Sequence, residues 1–383
     1  MNRIAEHIKL IVALAFLALL SWPMVQHGLR FNDEMELNGA FNDTAPPPFS
    51  WNSWFEGSFQ DSLKSSIKAD VGFRALLTRS HNQLNYSLHR KSNLDGWVQG
   101  KEGVLFEKSY IETLSGQDFL GVDSLLSIGR GLEQVNDTLR QLGIDLLVVL
   151  APGKGHFHQN LIPDYFEVDT SKTTNFDLVQ QQLALYQIPT INCRSWFDNM
   201  KVTSRYPLFP KNGVHWSQYA EFIVMDSIIS TLEILTERRL PTLGVNRHEV
   251  NDFARFFDQD IEDGMNLLFD IPDDSLAYPG FTIEDSTNGS SPTVLTISDS
   301  FWWDMFNLGF SNSIFNEGQF WYYCAAVYPE SNEKATTVWD QNYRASIERN
   351  DAIVLICTDA NLHRFPFGLI KQMRYYYDMP YLP

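Results

Sequence analysis

The sequence predicts an α/β protein, a mainly parallel sheet flanked by helices, behind an apolar N-terminal helix. Short apolar runs end at Leu150, Ile191, Ile297 and Cys357, and segments with helical spacing lie between them. Strands alternating with helices imply parallel pairing through right-handed crossovers. An apolar run near the start, with Arg3 and Lys9 before it, supplies the anchor.

Composition bounds the function. A chain of 383 residues can bury a large core in one domain or two. Apolar content of 44% and aromatic content of 14% exclude a disordered chain. A formal charge of −18 argues against a nucleic-acid partner, which needs a basic face. It also disfavours a strongly anionic polymer unless a local basic groove exists. Cys193, Cys324 and Cys357 fit no metal spacing and allow at most one disulfide. Cys357 ends an apolar run and reads as a buried thiol.

Taken in order, the chain opens with Leu10 to Leu20, extended by Trp22, Met24 and Val25. That run is short of the roughly 20 residues a full span needs. Residues 1–25 therefore read as a signal peptide or signal anchor, with Pro23 standing where a cleavage site is wanted. Positive charge ahead of the run places the rest of the chain outside the cytoplasm, in the periplasm or cell envelope. Residues 26–60 read as a tether in which Asn32-Asp-Glu, Asn42-Asp-Thr and Pro46-Pro-Pro alternate with Phe49, Trp51, Trp54 and Phe55. A domain over residues 61–383 follows.

Ser62 to Lys91 has helical spacing through Leu63, Ile67, Phe73, Leu76, Leu77 and Leu84, interrupted at Gly72. Asp95 to Phe106 reads as a hairpin with Gly and Asp at its turns. Phe119 to Leu142 is a helix stopped by Gly143, and Ile144 to Leu150 is a strand apolar on both faces. The loop Ala151-Pro-Gly-Lys154 lies at that strand's carboxyl end. Phe176 to Tyr186 is a helix, Ile188 to Ile191 a strand, and Ser217 to Leu235 a long helix. Residues 236–291 are acidic and irregular, with no twelve-residue calcium loop, and read as a solvated insertion. Thr293 to Ile297 and Ala352 to Cys357 complete the strands.

The chemistry gathers at Pro292-Thr-Val-Leu-Thr-Ile-Ser-Asp-Ser300. A strand that stops at small polar residues presents them at the sheet's carboxyl edge, where open α/β sheets build their sites. Ser300 would offer a nucleophile, with backbone N–H groups of the next turn as oxyanion donors. The plainer reading is that Ser298 and Asp299 cap a helix. Such a serine needs a base, and His215 stands just before Ser217, a good helix N-cap. A histidine packed for its shape is the alternative. Lys154 reads either as a binder of a substrate hydroxyl or carboxylate, or as a surface lysine. Asn361 reads either as an oxyanion donor or as a turn former.

Asp299-Ser300-Phe301, the earlier His215-Trp216, the Gly100-Lys-Glu-Gly-Val-Leu-Phe106 hairpin, the Pro152-Gly-Lys154 loop and Asp359-Ala-Asn361 together resemble a known family. It is that of the SGNH-hydrolase-like proteins of alginate O-acetylation, the AlgX and AlgJ type found beside membrane-bound O-acyltransferases. The resemblance covers roughly residues 60–380. It implies an SGNH-type fold and an O-acetyltransferase that works on an exported or cell-surface polysaccharide through a serine acyl-enzyme. It implies no metal or nucleotide cofactor, and a membrane-bound O-acyltransferase as acyl donor. In the family an aspartate two residues before the histidine orients the ring, but position 213 here is Gly. More distant SGNH hydrolases place the acid three residues before it, and that position is Asn212. Asp304, one helical turn after Ser300, is the nearest candidate in sequence for a substituting acid, and Asp299 is a further auxiliary candidate. Two other readings stand beside the transferase. One is a non-catalytic glycan-binding or scaffold protein with an incomplete triad; the other is a carbohydrate esterase working alone.

Overall fold

The strand core follows from the apolar runs themselves. β1 (Asp145–Ala151), β2 (Thr190–Asn192), β3 (Val294–Ser298), β4 (Phe320–Tyr322), β5 (Ala326–Tyr328), β6 (Thr336–Thr337) and β7 (Ala352–Thr358) form one sheet in the order β6-β5-β4-β3-β7-β1-β2. From β4 to β2 all neighbours are parallel, and β5 and β6 add an antiparallel edge. The sheet is thus mixed, with the expected strands contiguous from its middle to the β2 edge. All of β3 and β7, and β1 beyond Asp145, are buried, because helices cover both faces of a parallel sheet. Each Val, Leu or Ile so buried contributes about 1.5–3 kcal/mol.

The computed structural model describes residues 2–29, 31, 36–39, 48–69, 71–284, 287, 291–316, 318–329 and 336–380. Parts of the expected tether, including Asn32-Asp-Glu and Asn42-Asp-Thr, lie outside them. The chain divides into two units: Met1–Asp95 with Glu262–Asp270, and Gly96–Ile261 with Ile271–Pro383.

In the second unit, α1 (Val122–Gln141), α2 (Asn175–Leu185), α3 (Gln218–Thr236) and α4 (Leu369–Tyr377) are the longer helices. α1 presents Leu125, Leu132, Val135 and Leu139 to the core at helical spacing. It stops where Gly143 takes φ +75°, a conformation L side chains rarely adopt. Thr174 and Asp177 close a capping box at the start of α2, and Ser217 caps α3 by accepting the Ala220 N–H. Residues 97–107 form the expected hairpin, Trp97–Gln99 against Leu105–Glu107. The three cysteines are buried free thiols.

The acidic stretch is where the structure departs most from expectation. Thr242–Phe253 and Pro272–Glu284 pair as a long antiparallel ladder, and Phe281 packs on Phe222 of α3. Asp258 and Asp273 are buried, not solvated.

In the first unit, Asn2–Leu29 is a single helix with Pro23 inside it. Its segment Ile4–Leu29 is 26 residues of apolar helix, exposed over most of its length, with Gln26 buried. At 1.5 Å per residue that is ~39 Å, more than the ~30 Å hydrocarbon core, so the helix is longer than the apolar run alone suggested. Trp51–Glu56, Ser58–Ala69 and Arg74–His89 follow as short helices, broken near Gly72.

Candidate active site

β3 delivers its last residues into a tight turn. Asp299, fully buried, caps the 3-10 turn Ser300–Trp302 by accepting the Phe301 N–H at 3.1 Å. Its second oxygen accepts the Thr358 N–H and hydroxyl at 2.9 Å each and the Asn361 amide at 3.0 Å. Asp299 therefore locks the end of β3 to the end of β7 and holds Ser300, partly exposed, at the carboxyl edge. It is a cap, as the plainer reading had it, and a cross-strand clamp as well. Asn361 also donates to the Thr358 hydroxyl at 3.2 Å. In this geometry its amide nitrogen serves Asp299 and Thr358 from one side and helps to position Asp299.

His215 comes from the loop before α3. Its Nε2 lies 2.9 Å from Ser300 Oγ. The ring packs edge-on against Phe301 at 4.8 Å, and the neighbouring Trp216 is nearly fully buried on the same phenyl group. On the other side Asp260 Oδ2 stands 2.8 Å from Nδ1. The Nδ1–H does not point squarely at that oxygen. Such bonds are often misaligned without substrate and tighten in the complex. Burial alone would push the imidazole pKa down. The Asp260 carboxylate, with Asp299 and Asp304 behind it, outweighs this and holds the pKa above the ordinary histidine value.

Asp260 belongs to the stretch read as solvated. Its Oδ1 accepts the Val214 N–H at 2.8 Å, which fixes the carboxylate against the histidine loop. Asp273 accepts the N–H groups of Lys211 and Asn212 at 2.9–3.1 Å. From the opposite side Lys154 Nζ donates to the carbonyls of Lys211 at 2.7 Å and Gly213 at 2.6 Å. Acidic residues and one lysine thus hold the backbone of residues 211–214 by its donors and its acceptors. An acidic run has no spacing that relates it to a histidine 45 residues earlier, so local pattern could not reveal Asp260.

Lys154 is fully buried, neither a surface lysine nor open to substrate. Burial lowers its pKa to about 7, against the pull of Asp273, Asp260 and Asp258. Because the folded value lies below the ordinary lysine value of 10.5, the folded chain binds fewer protons between the two. Its contribution to stability is present above the unfolded value and is lost as pH falls toward 7. In Lys154→Met, denaturant melts should show a smaller gain in stability from neutral to alkaline pH than the native chain shows. Turnover should fall by up to ~10²-fold through displacement of the histidine loop.

The other acids proposed from sequence are placed elsewhere. His215 Nδ1 faces Asp260, not Asn212 or Asp304. Asn212 is buried and donates to the Ile271 carbonyl at 2.8 Å. Asp304 accepts from Gln218 at 3.4 Å and lies beside Glu221. Burial, then the Asp304 charge, pushes the Glu221 pKa up from the ordinary carboxylate value. Gly213 is the absent acid, and the structure explains why a carboxylate cannot simply be restored there. A Cβ on Gly213 would meet the Asp258 carbonyl oxygen at 2.6 Å and the Phe257 oxygen at 2.8 Å. Its φ is ordinary, so the obstacle is backbone contact and not conformation. Gly213→Asp should destabilise by ~1–3 kcal/mol, as overpacked cores do, and should lower activity. A thermal melt with an ester assay checks both.

Residues 98–239 match the family described as SGNH hydrolase-like domain, acetyltransferase AlgX. These residues, which include Lys154 and His215, are similar to an SGNH-hydrolase-like domain of AlgX type. No curated protein matches the chain. Among solved structures, the O-acetyltransferase domain of Pseudomonas putida AlgJ is similar at 13% identity and a TM-score of 0.48, over 73% of this chain and 99% of that one. Pseudomonas aeruginosa AlgX is similar at 12% identity and a TM-score of 0.46, over 72% of this chain and 67% of that one. Bacillus cereus PatB1 is similar at 13% identity and a TM-score of 0.38, over 63% and 90%.

Proposed function

We propose that this protein is a serine-dependent O-acetyltransferase of SGNH type acting on an exported or cell-surface polysaccharide. The observation that carries the reading is the contact chain Ser300–His215–Asp260, 2.9 Å and 2.8 Å between reacting atoms. It has the order of a nucleophile, a base and a group that orients the base. The match over residues 98–239 to a family described as an acetyltransferase supports the acyl group as acetyl.

Ser300 Oγ attacks the donor's acyl carbonyl while its proton passes to His215 Nε2. The tetrahedral oxyanion is met by the Ser300 backbone N–H, since the Phe301 N–H is held by Asp299. The imidazolium protonates the leaving oxygen, and an acyl–Ser300 ester remains. A sugar hydroxyl then gives its proton to Nε2 and attacks this ester, and the imidazolium returns that proton to Ser300 Oγ as it leaves, releasing the O-acetylated sugar and free Ser300. Asp260 stabilises the imidazolium in both halves. The acyl donor is a membrane-bound O-acyltransferase, and the N-terminal helix anchors the protein with its catalytic unit outside the cytoplasm.

Asp260 is the observation that weighs against a non-catalytic scaffold, because the orienting position is filled by a residue from another part of the chain. The test is incubation with an activated acetyl ester followed by mass spectrometry of the peptide containing Ser300. An acetyl adduct on Ser300, absent from Ser300→Ala, supports the reading. A folded protein that stays unlabelled and binds a glycan sinks it. Product analysis with an acceptor sugar separates transfer from hydrolysis, the stand-alone esterase.

A further inference from the structure

We infer that the helices after the N-terminal anchor, residues 49–91, form a second membrane contact that lies on an anionic lipid surface. Large aromatics are exposed together here: Trp51 at 68% and Phe55 at 81%, their rings stacked 6.1 Å apart one helical turn from each other. Phe49 joins them, 5.3 Å from Trp51 and from Phe59. On the helix Arg74–His89, Leu77, Leu84 and Leu88 are exposed on one face, Leu88 at 70%. Soluble surfaces rarely show so much contiguous apolar area without a partner.

Charge identifies that partner. The whole chain carries −18, yet residues 58–91 hold Lys64, Lys68, Arg74, Arg79, Arg90 and Lys91 against Asp61 and Asp70 alone. A segment that combines basic residues with exposed Trp, Phe and Leu has the composition of helices lying in the headgroup layer. Basic residues next to a membrane helix are drawn to anionic lipid headgroups. Position agrees, because the segment begins about 20 residues after the apolar helix that ends at Leu29. A protein partner would explain the apolar face but not the local reversal of charge.

The inference goes beyond catalysis and rests on the anchoring part of the reading above, so the test reports the two separately. The native cysteines are buried, so single Cys variants of the full chain label selectively with an environment-sensitive dye. Phe55→Cys and Leu88→Cys report the proposed surface, Leu14→Cys the anchor, and Val202→Cys a fully exposed control in the other unit. The proteins are reconstituted in vesicles of phosphatidylcholine, with or without phosphatidylglycerol, containing brominated acyl chains. The expected result is blue-shifted, bromine-quenched emission at Phe55→Cys and Leu88→Cys, stronger with phosphatidylglycerol, and none at Val202→Cys. Replacing Lys64, Lys68, Arg90 and Lys91 by Gln should remove the phosphatidylglycerol dependence. Quenching at Leu14→Cys alone overturns this inference and leaves the anchor; quenching at neither overturns both. Equal quenching with and without phosphatidylglycerol overturns the anionic-lipid assignment.

Discussion

Ser300→Ala and His215→Ala are each expected to lower acyl transfer by ~10⁴-fold or more, and the double variant should be no worse than either alone. The two act as one unit: without the base the hydroxyl keeps its proton, and without the hydroxyl the base has nothing to activate. Losses within such a unit are grossly non-additive. The geometry argues for this strongly, because Nε2 and Oγ are already at 2.9 Å with the imidazole wedged against Phe301. Ser300→Ala empties little of the core and should melt nearly as the native chain does, whereas His215→Ala also loses the Asp260 pair and the contact with Phe301 and should melt lower. The measurement is single-turnover acetylation with the purified double and single variants. Losses that multiply would mean that Ser300 and His215 contribute separately, and the proposed acyl-enzyme step would fall.

Asp260→Asn should cost ~10³–10⁴-fold, comparable to loss of the orienting aspartate in a serine protease. Its second signature is a pH shift of predictable sign. His215 works as a base only when neutral, so activity rises with pH through its pKa. That pKa is held above the ordinary value despite burial, through the Asp260 charge. Removing the charge leaves burial dominant and moves the rising limb toward acid. At low pH the variant should therefore lose proportionally less than at neutral pH. The same raised pKa makes the His215–Asp260 pair stabilise the fold fully below the unfolded histidine value and lose that contribution as pH climbs through the folded one. A pH–rate profile whose limb stays in place in Asp260→Asn would remove Asp260 from the role proposed here, whatever the loss in rate.

Substrate-free geometry also says which of the lesser candidates act through others. Asp299 and Asn361 secure the turn at the ends of β3 and β7, and Lys154 and Asp273 secure the histidine loop. Their variants should change turnover through the placement of Ser300 or His215. In such a site a misplacement of 1 Å can cost ~10²-fold.

The parts of this protein that its sequence determined are those written in short-range pattern. Ile144 to Leu150, Thr293 to Ile297 and Ala352 to Cys357 are nearly continuous apolar runs with Asp145, Thr293 and Thr296 as the exceptions, a pattern that fits strands covered on both faces, and they are neighbours in the sheet. Gly143, Thr174 and Ser217 mark helix ends by local backbone and side-chain chemistry. A serine at a strand's end and a histidine before a helix cap could be singled out for the same reason. Tertiary structure alone decided which carboxylate faces the histidine. Asp304, near Ser300 in sequence, turns to Glu221 and Gln218, while Asp260 arrives from a segment whose charge pattern read as solvated. Burial of that segment depends on partners far away in the chain: the N–H groups of residues 211, 212 and 214, which neutral backbone supplies and no sequence pattern advertises. A carboxylate can be buried where several donors converge on it. That convergence is a property of the folded backbone and not of the residues' order.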